Sequence, residues 1–287
     1  MAPEVSVVIP VRDGADSIGA LLCSLERQTL ARERFEVVVV DNASRDATAD
    51  IARGRGATVV HEPVPNRSRA RNAGVAATAA DLIAFTDADC FAHERWLEEL
   101  LACAGRAPLV AGEVVTSTSD PPNAIERFEL LSRFGQGAWV EQQGWAATAN
   151  LLVRREAFNA VGGLDPSWRH IGEDVDFCLR ARDAGFGLAF CPDAVVEHHA
   201  ERRLRPMLSR SYRHGYSVNQ AWHRFGGGYR AWRHPGGVLS GPRAFRRLGL
   251  DTAALRGPDG RRLAALARAS YGARIVGSVW AELRRAR

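Results

Sequence analysis

The stretch Phe35-Glu36-Val37-Val38-Val39-Val40-Asp41 contains four consecutive valines and ends on an aspartate. Such a continuous run of β-branched residues is typical of a strand that is covered on both faces, as strands in parallel sheets are. On either side of it, short apolar runs alternate with segments that repeat apolar residues at helical spacing. This alternation predicts an α/β protein with a parallel, doubly wound, Rossmann-like sheet flanked by helices.

The same patterns place the other elements along the chain. We predict strands at residues 5–9, 58–61, 82–86, 109–115 and 147–153, and helices at 17–25, 46–53, 67–79, 173–184 and 261–285. A further helical stretch follows a break at 120–122 and extends to residue 133, and residues 202–225 form one helix or a pair of helices. Two glycine-rich stretches, 226–228 and 234–237, interrupt regular structure. We therefore expect one domain over residues 1–230, followed by a basic C-terminal extension over 231–287 that contains an amphipathic helix.

The chain of 287 residues has 38 Lys and Arg residues against 33 Asp and Glu residues, which gives a net charge of +5. The basic excess lies after residue 200 and suits an anionic small molecule, an anionic membrane surface or a nucleic acid. No apolar run approaches the ~20 residues of a membrane-spanning helix, and the N-terminal residues lack the pattern of a signal peptide. We therefore expect a cytoplasmic protein, either free or peripheral on the inner face of the cell membrane.

Five cysteines, an odd number without a CxxC pair, are scattered along the chain: Cys23, Cys90, Cys103, Cys178 and Cys191. This pattern favours reduced thiols over a disulfide framework. Five free thiols are also what a cytoplasmic protein would have, so the two expectations agree.

Acidic or amide side chains follow three of the predicted strands. Asp13 lies just beyond the first strand, Asp41 and Asn42 end the second, and Asp87 follows the fourth. In doubly wound sheets, ligands bind beyond the carboxyl ends of the strands. One such residue alone more often caps a helix or makes a turn. Three strand ends together favour a ligand site.

The tripeptide Asp87-Ala88-Asp89 is the centre of this predicted site. Two carboxylates one residue apart can share a hard divalent cation, to which a diphosphate can also bind. The cation would neutralise the charge that builds up on a departing nucleotide diphosphate. The tripeptide alone is a weak signal because it occurs often by chance, but its position after the apolar strand Leu82-Ile83-Ala84-Phe85 strengthens it.

Other residues at this edge of the sheet suit a nucleotide. Asp41 could accept a hydrogen bond from the N–H of a uracil-like base, and Asp13 could contact the base or the ribose. Arg71 could reach the nucleotide or support the acidic groups, whereas a charged run more often forms a solvated helix face. For Arg71 the two interpretations are equally favoured.

A second acidic cluster, Gly172-Glu173-Asp174-Val175-Asp176, opens a predicted helix. The helix dipole favours ionised carboxylates at Glu173 and Asp174, and a carboxylate here could remove the proton of an attacking hydroxyl group. Taken alone, the cluster would be interpreted as ordinary N-terminal capping. Downstream, His198-His199 follows a predicted strand end, where an imidazole could complete the ligand shell of Mn²⁺. A structural role is equally favoured for this pair, and His198 is the preferred ligand.

Taken together, these segments resemble the family 2 glycosyltransferases of the GT-A fold. The matching stretches, in the order of that family, are Val7-Val8-Ile9-Pro10-Val11, Val39-Val40-Asp41-Asn42-Ala43-Ser44, Ala70-Arg71-Asn72-Ala73-Gly74, Thr86-Asp87-Ala88-Asp89, Ala149-Asn150-Leu151-Leu152-Val153-Arg154-Arg155-Glu156-Ala157-Phe158, Val161-Gly162-Gly163-Leu164-Asp165, Gly172-Glu173-Asp174-Val175-Asp176-Phe177-Cys178-Leu179-Arg180 and Val196-Glu197-His198. The resemblance covers residues 4–225, and the full set is far more specific than any one motif.

This resemblance implies a UDP-, GDP- or dTDP-sugar donor, a divalent metal (Mn²⁺ or Mg²⁺) and inversion at the anomeric carbon. It implies a nucleotide-binding half over 1–115 and an acceptor-binding half over 116–230. Asp174 would be the general base beside Glu173, and Asp89, Asp87 and His198 would bind the metal. The expected nucleotide-sugar contacts are Pro10, Val11, Asp13, Asp41, Asn42, Arg71, Asp87 and Ala88.

Two features refine this expectation. Arg12-Asp13 stands where relatives often have an aromatic or small residue followed by Asn, which affects the placement of the base. The chain lacks the processive pattern QxxRW and all transmembrane helices, so we predict transfer of a single sugar to an acceptor that the sequence does not identify. Three tryptophans could stack on a sugar ring or belong to the core: Trp139, Trp145 and Trp168.

Two other functions fit parts of the sequence. A non-catalytic basic protein could bind nucleic acid or an anionic surface, but two acidic clusters would repel phosphates unless a metal intervenes, so we expect no nucleic-acid partner. A nucleotidyltransferase also uses acidic metal sites, but the first strand is not followed by a Gly-rich phosphate loop. The C-terminal helix could dock on the core, form a homodimer or lie on a membrane, and docking is the first expectation.

Overall fold

The computed structural model describes residues 2–131, 135–225 and 259–285. The chain forms two compact units. The first consists of Met1–Val115, Gly135–Trp168 and Glu173–His198, and the second of Thr116–Phe134, Arg169–Gly172 and His199–Arg287. The expected boundary at residue 230 and both glycine-rich stretches lie outside the described residues.

The described residues contain one sheet with strands β1 (Val5–Val11), β2 (Phe35–Asp41), β3 (Thr58–His61), β4 (Leu82–Thr86), β5 (Cys90–Ala92), β6 (Leu109–Ser117), β7 (Asn150–Arg154) and β8 (Leu188–His199). Their order is β3-β2-β1-β4-β7-β6-β8-β5. The four strands from the first part of the chain, β3-β2-β1-β4, are parallel, as expected. β7 is antiparallel to both of its neighbours, and β5 is antiparallel to β8. The predicted α/β class is confirmed.

The helices are α1 (Ile18–Glu26), α2 (Thr48–Gly54), α3 (Arg67–Ala76), α4 (Trp96–Cys103), α5 (Ala124–Leu131), α6 (Gln136–Gln143), α7 (Arg155–Ala160), α8 (Glu173–Asp183), α9 (Leu204–Phe225) and α10 (Gly260–Arg285), with a short 3₁₀ helix at Arg32–Arg34. The sequence did not predict β5, α4, α6 or α7. Strand β5 has three residues, and the three helices have six to eight residues, which is about two turns. An apolar pattern that short does not repeat often enough to indicate the type of element.

The central strands are buried on both faces, as the valine run predicted. Val38, Val39 and Val40 have no exposed surface. Helix α3 packs closely on this part of the sheet because Gly74 has no side chain. A Cβ atom at Gly74 would come within 2.9 Å of Val40 Cγ2. This close approach fixes α3, and with it Arg71 about one turn earlier, over the ends of the parallel strands.

The prediction of five free thiols was wrong for two cysteines. Cys103 and Cys191 form a disulfide across 88 residues of sequence, while Cys23, Cys90 and Cys178 are free. The end of α4 lies beside β8, and this proximity cannot be inferred from the spacing of cysteines along the chain. Cysteine usage therefore gives no support to the cytoplasmic expectation.

In the second unit, α10 lies along α9 and also contacts α5. Gly215 of α9 and Gly277 of α10 lie against backbone atoms of the opposite helix, where a side chain would collide. A small apolar cluster joins the three helices through Phe128, Met207, Leu263 and Ala267. Among the described residues, no helix combines the length and the apolar character needed to cross a membrane.

Candidate active site

A buried arginine joins two of the predicted acidic clusters. Arg71 Nη2 donates a hydrogen bond to Asp87 Oδ1 at 2.7 Å, and Nη1 donates to Glu173 Oε1 at 2.9 Å. Asp87 follows the last residue of β4, and Glu173 is the first residue of α8. Arg71 and Glu173 are almost completely buried. The arginine therefore supports the acidic groups, which was one of the two interpretations open from the sequence, and it does not lie on a solvated helix face.

The position of Arg71 depends on contacts at the N-terminus and in the middle of α3. Asn66 caps the helix by accepting a hydrogen bond from the Arg69 backbone N–H. Asn72 exchanges two hydrogen bonds with the backbone of Leu164, at 2.8 and 3.0 Å. These contacts hold the helix against the loop that precedes α8. Hydrogen-bonded supports of this kind keep a site residue in one orientation.

The buried charge of Arg71 affects the protonation of Asp87. Burial raises the pKa of Asp87, but attraction to Arg71, Arg67 and His198 outweighs it, and the pKa is lowered. Asp87 therefore stays ionised and paired. An ionised carboxylate held in this way by a guanidinium group is an acceptor with fixed orientation.

Asp174 differs from Asp87 in its protonation. Burial, followed by repulsion from the adjacent Glu173, raises the pKa of Asp174 from its ordinary value of 3.8 to about 7. A hydrogen bond from the backbone N–H of Val175, 2.8 Å from Asp174 Oδ1, partly opposes this increase. A carboxyl group with a pKa near neutrality can both accept and release a proton under physiological conditions.

Asp89 and His198 lie together at the start of β5 and the end of β8. The antiparallel pairing sets Cys90 opposite His198, and this register brings Asp89 Oδ2 to 3.5 Å from His198 Nε2. The Asp89 side chain is about half exposed, whereas that of His198 is largely buried. Within the described ranges, no group of three or more His, Cys, Asp and Glu side chains is arranged to hold a metal ion. At this position the protein therefore has one carboxylate, Asp89, and one imidazole, His198, that could bind a metal ion. The third predicted metal ligand, Asp87, is paired with Arg71.

Asp41 lies at the same edge of the sheet, aligned with Val11 of β1 and His61 of β3. Its Oδ1 accepts a hydrogen bond from the backbone N–H of Ser44 at 3.0 Å, and its Oδ2 is 3.2 Å from His61 Nδ1. Burial raises the pKa of Asp41, but the hydrogen bonds from Ser44 and the proximity of His61 outweigh it and lower the pKa. His61 ends β3 in the same way as Asp41 ends β2, but it is not among the site residues that the sequence predicts.

Two other predicted nucleotide contacts hold loops in place. Asp13 Oδ1 accepts from the Arg45 backbone N–H at 2.8 Å, which ties the loop after β1 to the loop after β2. Asn42 donates from Nδ2 to the Val64 carbonyl at 2.6 Å and accepts at Oδ1 from the Asn66 N–H. Asp13 has a φ of 50°, in the left-handed region that few non-glycine residues adopt. Such backbone strain occurs preferentially at functional sites.

The remaining predicted residues lie around these groups. Pro10 and Val11 end β1, with Val11 buried, and Ala88 lies between the two aspartates at the surface of the site. Trp168 is in the core, which agrees with the alternative to sugar stacking, and the rings of Trp139 and Trp145 stack on each other at 4.6 Å. The structure thus brings Arg71, Asp87, Glu173 and Asp174 into one cluster, and pairs Asp89 with His198.

Comparisons with known proteins identify the family of this chain. A model described as glycosyl transferase family 2 matches residues 6–162, and one described as glycosyl transferase family group 2 matches residues 127–278. Glycosyltransferase AglE of Haloferax volcanii is 32% identical over 228 residues, covering 77% of this chain and 74% of AglE. The pre-mycofactocin glycosyltransferase of Mycobacterium tuberculosis is 33% identical over 228 residues, covering 75% of this chain and 47% of that protein. The chain therefore spans about half the length of the second relative.

Solved structures share the fold at low sequence identity. A mannosyltransferase from Pyrobaculum calidifontis, in complex with GDP-Man and Mn²⁺, has a TM-score of 0.67 and 19% identity, covering 98% of this chain and 88% of that chain. S. aureus TarS residues 1–349, in complex with UDP-GlcNAc, has a TM-score of 0.56 and 14% identity, covering 100% of this chain and 93% of that chain. The fold is therefore that of the GT-A glycosyltransferases. The chain belongs to glycosyl transferase family 2.

Proposed function

We propose that this glycosyltransferase moves one sugar from a nucleotide diphosphate sugar to an acceptor hydroxyl group, with inversion at the anomeric carbon. The observation that carries the proposal is the environment of Asp174. Its pKa is raised to about 7, and it adjoins Glu173, which Arg71 connects to Asp87. A general base works best when its pKa lies near the operating pH.

In the proposed step, Asp174 accepts the proton of the acceptor hydroxyl group while the acceptor oxygen forms a bond to the anomeric carbon. The bond between that carbon and the diphosphate oxygen breaks on the opposite face, and its electron pair leaves with the nucleotide diphosphate. A single displacement of this kind inverts the anomeric centre. Since a general base contributes typically about 10²–10⁴-fold to the rate, Asp174→Asn should lower kcat by a factor in this range.

Glu173 has a different role in this proposal. It is buried and paired with Arg71, so it positions the arginine and raises the pKa of Asp174 by repulsion. The neighbouring carboxylate therefore makes Asp174 a stronger base, and Arg71 pairs with Glu173 in its buried position. This division would keep the proton-accepting group distinct from the group that adjusts its pKa.

Asp89 and His198 are the proposed protein ligands of a divalent ion. Their separation of 3.5 Å suits two ligands that are each about 2.0–2.6 Å from one ion. Mixed oxygen and nitrogen ligation suits Mn²⁺ better than Mg²⁺. When bound, the ion supplies Lewis-acid stabilisation of the leaving diphosphate. A structural relative that was solved with GDP-Man and Mn²⁺ supports a divalent ion as the cofactor of this chain.

The nucleotide base is proposed to lie at Asp41, and the diphosphate beyond Asp87 and Asp89. This order follows the strand ends from β2 to β4, across β1. Relatives with this fold were solved with different nucleotides, GDP-Man in one and UDP or UDP-GlcNAc in another. The donor nucleotide of this chain is therefore a question for direct binding measurements.

A thermal-shift screen of UDP-, GDP- and dTDP-sugars with and without Mn²⁺ tests the donor and metal assignments. A ligand at 100 times its Kd stabilises the native state by about 2.7 kcal/mol. For a protein of this size, that corresponds to an increase in Tm of roughly 5–10 °C. We expect this shift for one nucleotide class, and we expect Asp89→Ala to abolish its Mn²⁺-dependent part.

Asp174→Asn separates the proposed base from the metal site. It should keep the donor-induced shift in Tm while turnover falls, because the base acts on the acceptor. Asp183→Asn, an exposed carboxylate at the other end of α8, is the matched control and should change neither quantity. Near-normal kcat in Asp174→Asn would show that another group accepts the proton.

A further inference from the structure

The solvent side of α10 carries a continuous apolar face, which we call the α10 face: Ile275, Val276, Val279, Trp280 and Leu283. The exposed fractions of these residues range from 37% to 60%. Their spacing of three to four residues places them along one side of the helix. Four of them, together with Tyr212 of α9, line a shallow apolar pocket. Single exposed apolar residues are normal, but a contiguous patch of large ones marks an interaction surface.

Arginines continue the same side of the helix. Arg268 precedes Ile275 by seven residues and Arg261 precedes Arg268 by seven, so both fall on this side at 3.6 residues per turn. Both are exposed, as is Arg284. The guanidinium group of Arg284 lies over the ring of Trp280, 5.5 Å from its centroid.

Negative charge is nearly absent from this helix. The single acidic residue between Gly260 and Arg285 is Glu282, and its carboxylate is occupied on the side toward α9. It accepts a hydrogen bond from Asn219 Nδ2 at 3.0 Å and is 2.7 Å from His223 Nε2. The exposed side of α10 is therefore apolar and cationic.

We propose that the α10 face binds the surface of an anionic lipid bilayer, with the helix lying parallel to the membrane. Apolar side chains would enter the boundary between headgroups and acyl chains, and the arginines would contact the anionic headgroups. A tryptophan beside an arginine suits this interfacial depth, because its ring is apolar and its N–H can remain hydrated. A dimer in which two copies of the α10 face pack on each other would bring the arginines of both helices together, and their like charges would repel. The proposal is independent of the sugar-transfer proposal, since it uses none of the active-site residues.

Sedimentation of the full chain with vesicles tests this surface. The probes are vesicles of phosphatidylcholine alone and of phosphatidylcholine with one quarter phosphatidylglycerol, at 0.1 M salt. We expect binding to the anionic vesicles and little to the neutral ones. Each arginine near an anionic surface contributes about fivefold in affinity, so Arg268→Glu/Arg284→Glu should weaken binding by at least about 25-fold. The matched control with the same change of charge is Arg53→Glu/Arg182→Glu, on two exposed arginines of the first unit, and it should bind like wild type.

A second variant tests the apolar contribution. Val279→Ser/Leu283→Ser replaces two exposed side chains and should leave the fold intact, which its Tm will verify. We expect it to weaken vesicle binding at least tenfold, whereas Val115→Ser, an exposed apolar residue outside α10, should have no effect. Equal binding to neutral and anionic vesicles, or no binding to either, would overturn the proposal. The proposal would also be overturned if sedimentation velocity detected a dimer that the α10 variants dissociate, and the protein bound no vesicles. The α10 face would then join two copies of the chain.

Discussion

Replacement of Arg71 by methionine should destabilise the protein strongly and specifically. The side chains of Arg71 and Glu173 are 3% and 5% exposed, whereas that of Asp87 is 34% exposed. Removal of one partner from a buried ion pair costs about 3–5 kcal/mol. We assign this cost to Glu173 alone, because water can solvate the partly exposed Asp87, and we therefore take the lower end of the range. Arg71→Met should therefore lower the free energy of unfolding by about 3 kcal/mol and Tm by roughly 6–12 °C.

Chemical denaturation and thermal melts at pH 8 would measure this loss, and a double-mutant cycle would assign it. In Arg71→Met/Glu173→Gln the buried carboxylate is removed together with its partner, so much of the lost stability should return. Arg53→Met, on an exposed arginine paired with Asp50, should change stability by less than about 1 kcal/mol. A loss below about 1 kcal/mol in Arg71→Met, or no recovery in the double variant, would refute the reasoning that this pair is buried and structural.

Four further outcomes follow from the titrations and contacts of the described residues. Burial and repulsion from Glu173 raise the pKa of Asp174 from 3.8 to about 7 on folding, so the native state binds this proton more tightly than the unfolded state does. The free energy of unfolding should therefore fall as the pH rises from about 4 to about 7. Urea titrations at several pH values should show that Asp174→Asn removes this dependence. In the same range the kcat of the wild type should rise as Asp174 loses its proton, and a flat profile would argue against it as the base. His61→Ala should raise the KM for the donor about two- to tenfold by removing a hydrogen-bond partner of Asp41, with kcat unchanged, and equal effects on both constants would contradict its placement at the nucleotide. Thiol titration of the unfolded, unreduced chain should detect three thiols and five after reduction, whereas five before reduction would exclude the disulfide.

The parallel half of the fold was predictable because its signals are local. A run of four valines defines β2, and each of the strands β1 to β4 begins and ends within two residues of its predicted bounds. Strand β5 and the short helices α4, α6 and α7 were harder to predict. Their residues are apolar in runs too short to separate a strand from a helix, and tertiary packing decides between them.

The candidate site was predictable as a set of strand ends but not as a set of contacts. Parallel topology brings Asp13, Asp41 and Asp87 to one edge, and this follows from the period of the sequence alone. The pairing of Arg71 with Glu173 joins positions 102 residues apart, and no local pattern encodes it. The sequence therefore left Arg71 between two roles. His61 was overlooked because a single histidine at a strand end gives no signal until its neighbour across the sheet is known.

Burial explains how carboxylates that look alike in the sequence acquire different chemistry. Asp87 lies against Arg71, which lowers its pKa, while Asp174 lies beside Glu173, and burial with this repulsion raises its pKa to about 7. Environments that push the pKa values of neighbouring acids apart are a reliable guide to their assignment as base or as fixed charge. One guanidinium group thus separates the two functions: it neutralises Asp87 and Glu173, and it leaves Asp174 as the acid of this cluster whose proton is exchanged near neutral pH. If Arg71→Met raised the apparent pKa of the kcat profile, this electrostatic coupling would be visible in turnover itself, since the loss of the arginine removes an attraction that now lowers the pKa of Asp174.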